Sequence, residues 1–490
     1  MTAALPTSMR TITFRLVGFL FLVELTSGIL QGFYVPLIPD LVKHLGIQDA
    51  DFNWFEAAQL LLSAIAVPVL AKFGDMIGHK KILLISTVLT AGASWWLAFT
   101  GDFTSFLIAW ALQGFYVVWL PLEVALIFDR GRRTATGASQ TRRAAGFLVV
   151  ALEAGAIIGA LASSKVFAAF GHDVTPTLFV PAICVSLVFF AILFGVPESQ
   201  PLPGRKLDAG GFAILTIALL LITAGLGYLR TDGPIVPLVI ALVVVGILAF
   251  IPFVLYERKQ PDPAIDLKVI RQPTMWPVLI TAALFGISVL GAQAPLSTYA
   301  GTDPKNGYGL GLESDVISYL IGAYLVSMIV GALLLPVLSK RASPRIALIV
   351  ASFFVAAGYL LFLPLHGQVW QVIMNMVIAG IGSGALVAAL PAAAAAAAPR
   401  GQTGIAAGLT NTTKTIGGSF ASSVFGVVLA VGAGAGVGAA ASYGGYVVVW
   451  LVCGIGALVS AALLFFVPKL AFADVESVEP EEIAAATPRG

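Results

Sequence analysis

Three carboxyl side chains, Glu24, Glu123 and Glu153, stand inside long apolar runs of the chain. An ionisable group placed at the centre of a bilayer costs about 2.5–3.5 kcal/mol on insertion scales, so each such acid marks a functional site. Withdrawal from water favours the neutral form of a carboxyl. Such a group can take up a proton where it is dry, release it where it is wet, and hold a cation when ionised. One base, Lys414, lies inside a run of the second half, which holds no acid within a span. Helical spacing gathers polar residues around these charges. Glu24, Ser27, Gln31 and Tyr34 form one stripe, Gln113, Tyr116 and Glu123 a second, and Asn411, Lys414 and Thr415 a third. Polar stripes on otherwise apolar helices are expected to face a water-filled cavity. Gln31, Tyr34, Gln113, Tyr116, Trp119, Gln293, Asn411 and Lys414 are the expected substrate contacts, and Glu24, Glu153 and Glu123 the expected proton-coupling acids.

The same residues admit a purely structural reading. Glu123 would pair with Arg142 or Arg143 and lock helices together. Glu24 and Glu153 would be satisfied by interhelical hydrogen bonds, and Lys414 would be the fixed ion-pair partner of one acid. Tyr34, Tyr116, Trp119, Tyr319 and Tyr324 would be packing residues. Glu56, at the outer end of the second run, reads as a solvated helix-entry acid. Trp54, Trp276 and Trp370 sit near run ends and read as interface anchors.

These residues are positioned by about fourteen apolar runs, each near the 20 residues a spanning helix needs. They cover 13–38, 53–72, 82–100, 103–128, 144–170, 174–196, 209–229, 234–256, 273–299, 314–338, 345–364, 369–398, 403–431 and 444–468. The first is read as a retained helix rather than a cleaved signal. Of 490 residues, 59% are apolar and 11% charged, against about 25% charged in soluble domains. With a mean hydropathy of +0.97, the chain reads as an all-α polytopic membrane protein. A net charge of +2 implies no nucleic acid or other polyanionic partner. Cys184 and Cys453 both lie in apolar runs and read as packing residues. With the N-terminus inside, 22 of the 27 basic residues fall on one face, 4 on the other, and Lys414 within a span. The positive-inside rule then puts both termini in the cytoplasm of a cell inner membrane. No phosphate-binding loop, metal-ligand cluster or nucleophile motif occurs. The chain is therefore expected not to be an enzyme and to need no cofactor, with an ion gradient supplying the energy.

Two motifs carry a family resemblance. Between the second and third runs the chain reads Gly74-Asp75-Met76-Ile77-Gly78-His79-Lys80-Lys81. This resembles the signature loop D-x-x-G-[RK]-[KR] of the major facilitator superfamily. The stretch from Gly404 to Ser419 is similar to the G-x-x-x-G-x-x-N-x-x-[RK]-x-x-G-G pattern of its fourteen-span drug:proton antiporter branch. The resemblance implies two six-helix bundles, 1–200 and 261–470, with two inserted helices in 201–260, and an acidic tail at 471–490. It implies inverted repeats and alternating access around a midplane site. It also implies a cytoplasmic latch of Asp75, Gly78, Lys80 and Asp129. Asp75 would sit at a helix N-terminus of the other bundle, favoured by the dipole, and Lys80 would pair with Asp129. Gly155 and Gly159 stand where the antiporter motif of the fifth helix falls, without its proline, and their spacing permits close packing. Where the family carries an arginine three residues before Gln113-Gly114, this chain has Trp110.

The function expected is proton-coupled efflux of amphipathic, cationic drugs or antibiotics. Small molecules, protons and the bilayer are the expected partners. The alternatives are a dedicated exporter of one metabolite, such as a self-made antibiotic, siderophore or amino acid, and a non-transporting membrane sensor.

Overall fold

A computed structural model describes residues 14–131, 137–201, 206–228, 236–397, 403–434 and 439–466, all helices and connections with no strand among them. The acidic tail lies outside the described residues. Thirteen helices here are long and apolar enough to cross a membrane. They are α1 (Leu16–Leu45), α2 (Asp49–Ile77), α3 (His79–Phe99), α4 (Phe103–Ile127), α5 (Gly146–Ala169), α6 (Val174–Gly195), α7 (Ala209–Gly227), α8 (Pro237–Glu257), α9 (Trp276–Gly301), α10 (Ser314–Arg341), α11 (Pro344–Leu361), α12 (Val369–Ala394) and α14 (Tyr443–Leu464). A further helix, α13 (Thr403–Ala430), has 28 residues. Its length suffices to span a bilayer. Its polar run Thr410-Asn411-Thr412-Thr413-Lys414-Thr415 makes it the least apolar of the set, and it survives because its neighbours cover it. Thr412, Thr415 and Ser419 are buried there.

Helices α1–α6 and α9–α14 form two bundles, and α7 and α8 pair with each other. Leu215 and Leu219 of α7 share an apolar cluster with Leu61 of α2 and Ile416 of α13, so the inserted pair lies along the join between the bundles.

Within each bundle the first and fifth helices come together on glycine. A Cβ on Gly155 or Gly28 would collide with the Leu25 or Leu152 carbonyl across the α1–α5 contact, and Gly32 and Gly159 extend the same strip. In the second bundle, Gly286 of α9 lies against the Lys414 carbonyl and Gly417 of α13 against the Ala283 carbonyl. No hydrophobic drive separates helix surfaces from lipid tails, so close backbone approach through small residues supplies the association.

Three helices break where the polar residues sit. Helix α1 ends its first segment at Phe33, passes through a 3₁₀ turn at Val35–Leu37, and restarts at Ile38. Pro36 and Pro39 remove backbone donors there. Helix α4 changes to 3₁₀ over Gly114–Val118. Helix α9 widens into a π turn at Ile287–Gly291, ahead of Pro295.

The bundles meet on the face opposite the basic loops. Ser297 Oγ of α9 donates to the Val35 carbonyl of α1 at 2.6 Å, and Ser419 Oγ of α13 to the Ala57 carbonyl of α2 at 2.8 Å. The Asp49 N–H donates to the Ala439 carbonyl at 3.3 Å. Leu161 of α5 packs over Gly322 of α10. All these contacts lie in the half of the membrane away from Lys72, Lys80 and Lys81, so this conformation is sealed on that opposite face.

Replacing Gly155 with leucine is expected to abolish the monodisperse peak of the detergent-solubilised protein in fluorescence size-exclusion chromatography. Gly146→Leu, on the same helix but with open space around it, should leave the peak unchanged.

Candidate functional site

The polar stripes of α1 and α4 turn toward each other. Gln113 Nε2 donates to the Tyr34 hydroxyl at 2.7 Å and to Ser94 Oγ at 3.0 Å. Its Oε1 accepts from Gln59 Nε2 at 3.4 Å, and the same Gln59 amide donates to the Trp110 carbonyl at 3.3 Å. Gln113 is 1% exposed. It is thus the hub tying α1, α2, α3 and α4, enclosed in this conformation where its stripe was expected to face a cavity. Trp119 is likewise fully enclosed, edge-on to Tyr116 at 6.3 Å. Its place one turn before Glu123 puts it in the wall of the bundle, so it too is no open contact. Trp110 fills the position of the family's arginine with an aromatic cluster, 5.0 Å from Tyr34 and 5.2 Å from Phe52.

Deeper along the same two helices, Glu24 and Glu123 approach each other closely enough for their charges to interact. Both are fully buried, and none of their four carboxyl oxygens has a hydrogen-bond partner. The side chains of Arg142 and Arg143 lie outside the described residues.

Glu153 occupies a different setting. It is half-buried on α5 at the join between the bundles, with Lys414 of α13 and Tyr324 of α10 as its charged and polar neighbours. No ion pair within 4.0 Å closes between Glu153 and Lys414. Asn411 is half-buried one turn before Lys414. Thr415, by contrast, is buried and donates to the Thr412 carbonyl at 2.8 Å. The third stripe is therefore split: Lys414 neighbours Glu153 across the join, Asn411 is half-buried, and Thr415 serves its own helix.

A third polar locus lies between the bundles, toward the sealed face. Gln31, Tyr34, Glu56, Gln59, Tyr116, Trp110 and Gln293 wall a cavity of about 30 Å³. That is room for one or two waters. Gln293 Nε2 is bound to the Val289 carbonyl at 2.9 Å, closing the π turn of α9. Glu56 is 7% exposed here, which corrects its reading as a solvated helix-entry acid. The sequence places it one turn into α2, where a free helix end would be wet, but the second bundle covers it. Tyr116 neighbours the charges of both Glu56 and Glu24, so it stands between this cavity and the carboxyl pair.

The signature loop is anchored within its own bundle. Gly78 has φ +112°, and a Cβ there would meet the Glu198 carboxyl at 2.5 Å. Asp75 Oδ1 lies 3.4 Å from His79 Nε2. The Lys80 N–H donates to Glu198 Oε1 at 2.9 Å, and the His79 N–H to Ser199 Oγ at 2.8 Å. The Lys80 ammonium donates to the Leu193 carbonyl at 2.8 Å. The expected Lys80–Asp129 pair is not formed, because Lys80 runs along the end of α6. Asp129 instead accepts the Gln200 N–H at 3.4 Å.

The profile of the Major Facilitator Superfamily matches residues 20–422. The chain belongs to this superfamily. It is a multi-pass membrane transporter of small molecules and not an enzyme. The transporter is 24% identical over 409 residues to the tetracenomycin C resistance and export protein of Streptomyces glaucescens, covering 80% of this chain and 71% of that one. It is 28% identical over 326 residues to the quinolone resistance protein NorB of Staphylococcus aureus, covering 64% and 68%. Among solved structures it resembles the human organic anion transporter MFSD10, with a TM-score of 0.60, 15% identity, and 92% and 99% of the chains covered. A POT family transporter in complex with a thioalcohol-conjugated peptide gives a TM-score of 0.65, 17% identity, and 93% and 96% coverage. These structural likenesses establish the fold.

Gln113→Leu in the transporter is expected to cost about 1–3 kcal/mol of stability, since it strands the Tyr34 and Ser94 hydroxyls and the Gln59 amide. It should lower the thermal midpoint in detergent. Gln31→Leu should not, because the Gln31 amide has only a long 3.5 Å contact with Ser27.

Proposed function

We propose that the transporter exports amphipathic, cationic small molecules in exchange for protons, by alternating access. The observation that carries this reading is the Glu24–Glu123 pair, enclosed together with no donor on any carboxyl oxygen. Two adjacent carboxylates stripped of water and donors would cost several kcal/mol. In the sealed conformation the pair therefore holds protons. Protons taken up from the opposite face before it seals are released when water from the basic face reaches α1 and α4, because water restores the solvation of the charged form.

Glu153 is the acid the cargo meets. It lies at the join between the bundles opposite Lys414 and is not committed to an ion pair. A lipophilic cation entering from the basic face, which the positive-inside rule makes cytoplasmic, neutralises Glu153 in place of a proton. Competition of proton and cation for one carboxylate couples the two flows. Glu56, Tyr116 and the small cavity connect the carboxyl pair toward the opposite face, where protons enter. The signature loop changes partners as the basic face closes. The glycine strips let α1 and α5 move as one body in the first bundle, as α9 and α13 do in the second.

The names of the relatives support efflux of antibiotics. The tetracenomycin relative, an export protein as well as a resistance protein, favours as a second reading the dedicated export of one such compound.

The test is flux in proteoliposomes under an imposed proton gradient, with tetraphenylphosphonium, ethidium and a quinolone as probes. Gradient-driven accumulation of more than one cation is expected, falling at least tenfold in Glu24→Gln and in Glu153→Gln, and less in Glu56→Gln. Transport of the quinolone alone would favour the dedicated exporter. No gradient-dependent flux of any probe, or full flux in all three variants, would overturn proton-coupled cation export.

A further inference from the structure

The inserted helix pair ends in a cavity whose lining shares no residue with the candidate site. It lies on the basic face at the end of α8, has a volume of about 510 Å³, and is walled by Arg258, Lys268, Arg271, Gln260, Glu257 and Asp266 among others. Each of the two acids accepts one backbone N–H. Glu257 Oε2 accepts the Ile265 N–H at 3.4 Å, and Asp266 Oδ1 accepts the Lys268 N–H at 2.9 Å, capping the short helix Leu267–Ile270. No carboxylate lies within 4.0 Å of the three cations among the described residues. Three unpaired cations thus converge on one open hollow.

The helix leading to it is the most lipid-exposed of the fold. Only 17% of the most apolar window of α8 is buried. Leu248, Ile251 and Leu255 are 52%, 57% and 54% exposed. Arg258 follows at the same helical spacing, so the four form one stripe that turns from apolar to cationic where the helix ends. The positive-inside rule accounts for basic residues on this face. It does not account for three of them closing on one cavity at the foot of an uncovered apolar stripe.

We propose that this cavity holds the headgroup of an anionic phospholipid, with an acyl chain lying on Leu248, Ile251 and Leu255. The charge complements the phosphate, and the stripe complements the chain. A free phosphate would satisfy the cations and leave the stripe bare. Basic pockets at the cytoplasmic ends of membrane helices take anionic headgroups by the same physics. The inserted pair is thereby tethered to one leaflet beside the join it lies along.

The experiment is native mass spectrometry of the full chain released from detergent, titrated with phosphatidylglycerol, with phosphatidylcholine of the same acyl chains, and with glycerol phosphate. Each cation near an anionic headgroup contributes about fivefold, so Arg258→Gln/Lys268→Gln/Arg271→Gln should weaken phosphatidylglycerol retention about a hundredfold. Each single substitution should weaken it about fivefold, which keeps the test available if the triple variant unfolds. Ile251→Ser/Leu255→Ser should weaken it too, and Lys340→Gln/Arg341→Gln, exposed on the same face in the other bundle, should not. Equal retention by the triple variant, or by all three singles where the triple unfolds, would overturn the proposal. So would an equal loss in the Lys340/Arg341 control, or displacement of the lipid by glycerol phosphate at matching concentration.

Discussion

A bilayer interior supplies no water to an ionised side chain, and the organisation of this transporter depends on that constraint. Each polar group within the spans must find a partner in the protein, hold its proton, or lie on a surface that is wet in another conformation. Gln113, Tyr34, Ser94 and Gln59 take the first course and bind four helices together. Glu24 and Glu123, enclosed without donors, are assigned the second by the proposed cycle. Glu153 and Lys414, half-buried where the bundles meet, are assigned the third by the proposed cycle. In the proposed cycle, framework, proton store and cargo contact are therefore distinguished by hydrogen-bond supply rather than by residue type.

The moving parts follow from where the backbone is tight and where it is broken. Glycine strips hold α1 to α5 and α9 to α13 at backbone distance. Between the bundles the contacts are of another kind. Ser297 and Ser419 each give one hydrogen bond to a carbonyl of the opposite bundle. Each such hydroxyl bond contributes only about 0.5–1.5 kcal/mol net, so the polar part of the seal is weak beside the glycine strips. The breaks in α1, α4 and α9 fall beside the polar cavity, where irregular backbone lines the space between the bundles.

Much of this was legible in the sequence. Apolar length marked thirteen of the expected spans, and α13 was recognisable despite its polar run because the flanking residues keep the helical length. Glu24, Glu123 and Glu153 stood out because a charge in a span is conspicuous. What could not be read was which neighbour each helix face meets. Helical spacing put Gln113 on a polar stripe, but in this conformation the stripe of α4 turns onto α1 and not onto water. Glu56 looked wet because it sits near a helix start, and only the arrival of the second bundle buries it. Lys80 was matched to Asp129 through a motif, whereas in the sealed conformation its ammonium reaches the Leu193 carbonyl. These differences all concern long-range contact and conformational state, which local periodicity does not encode.

The central claim is that the carboxyls exchange protons for cargo, and proton release on binding tests it most directly. The purified protein, in weakly buffered detergent solution at neutral pH, is mixed with tetraphenylphosphonium while the pH is followed, and binding is measured in parallel by calorimetry in buffers of different ionisation enthalpy. The account predicts that binding releases protons, and that Glu24→Gln and Glu153→Gln release fewer while remaining folded. Binding of the cation with no proton released by the wild-type protein would contradict it.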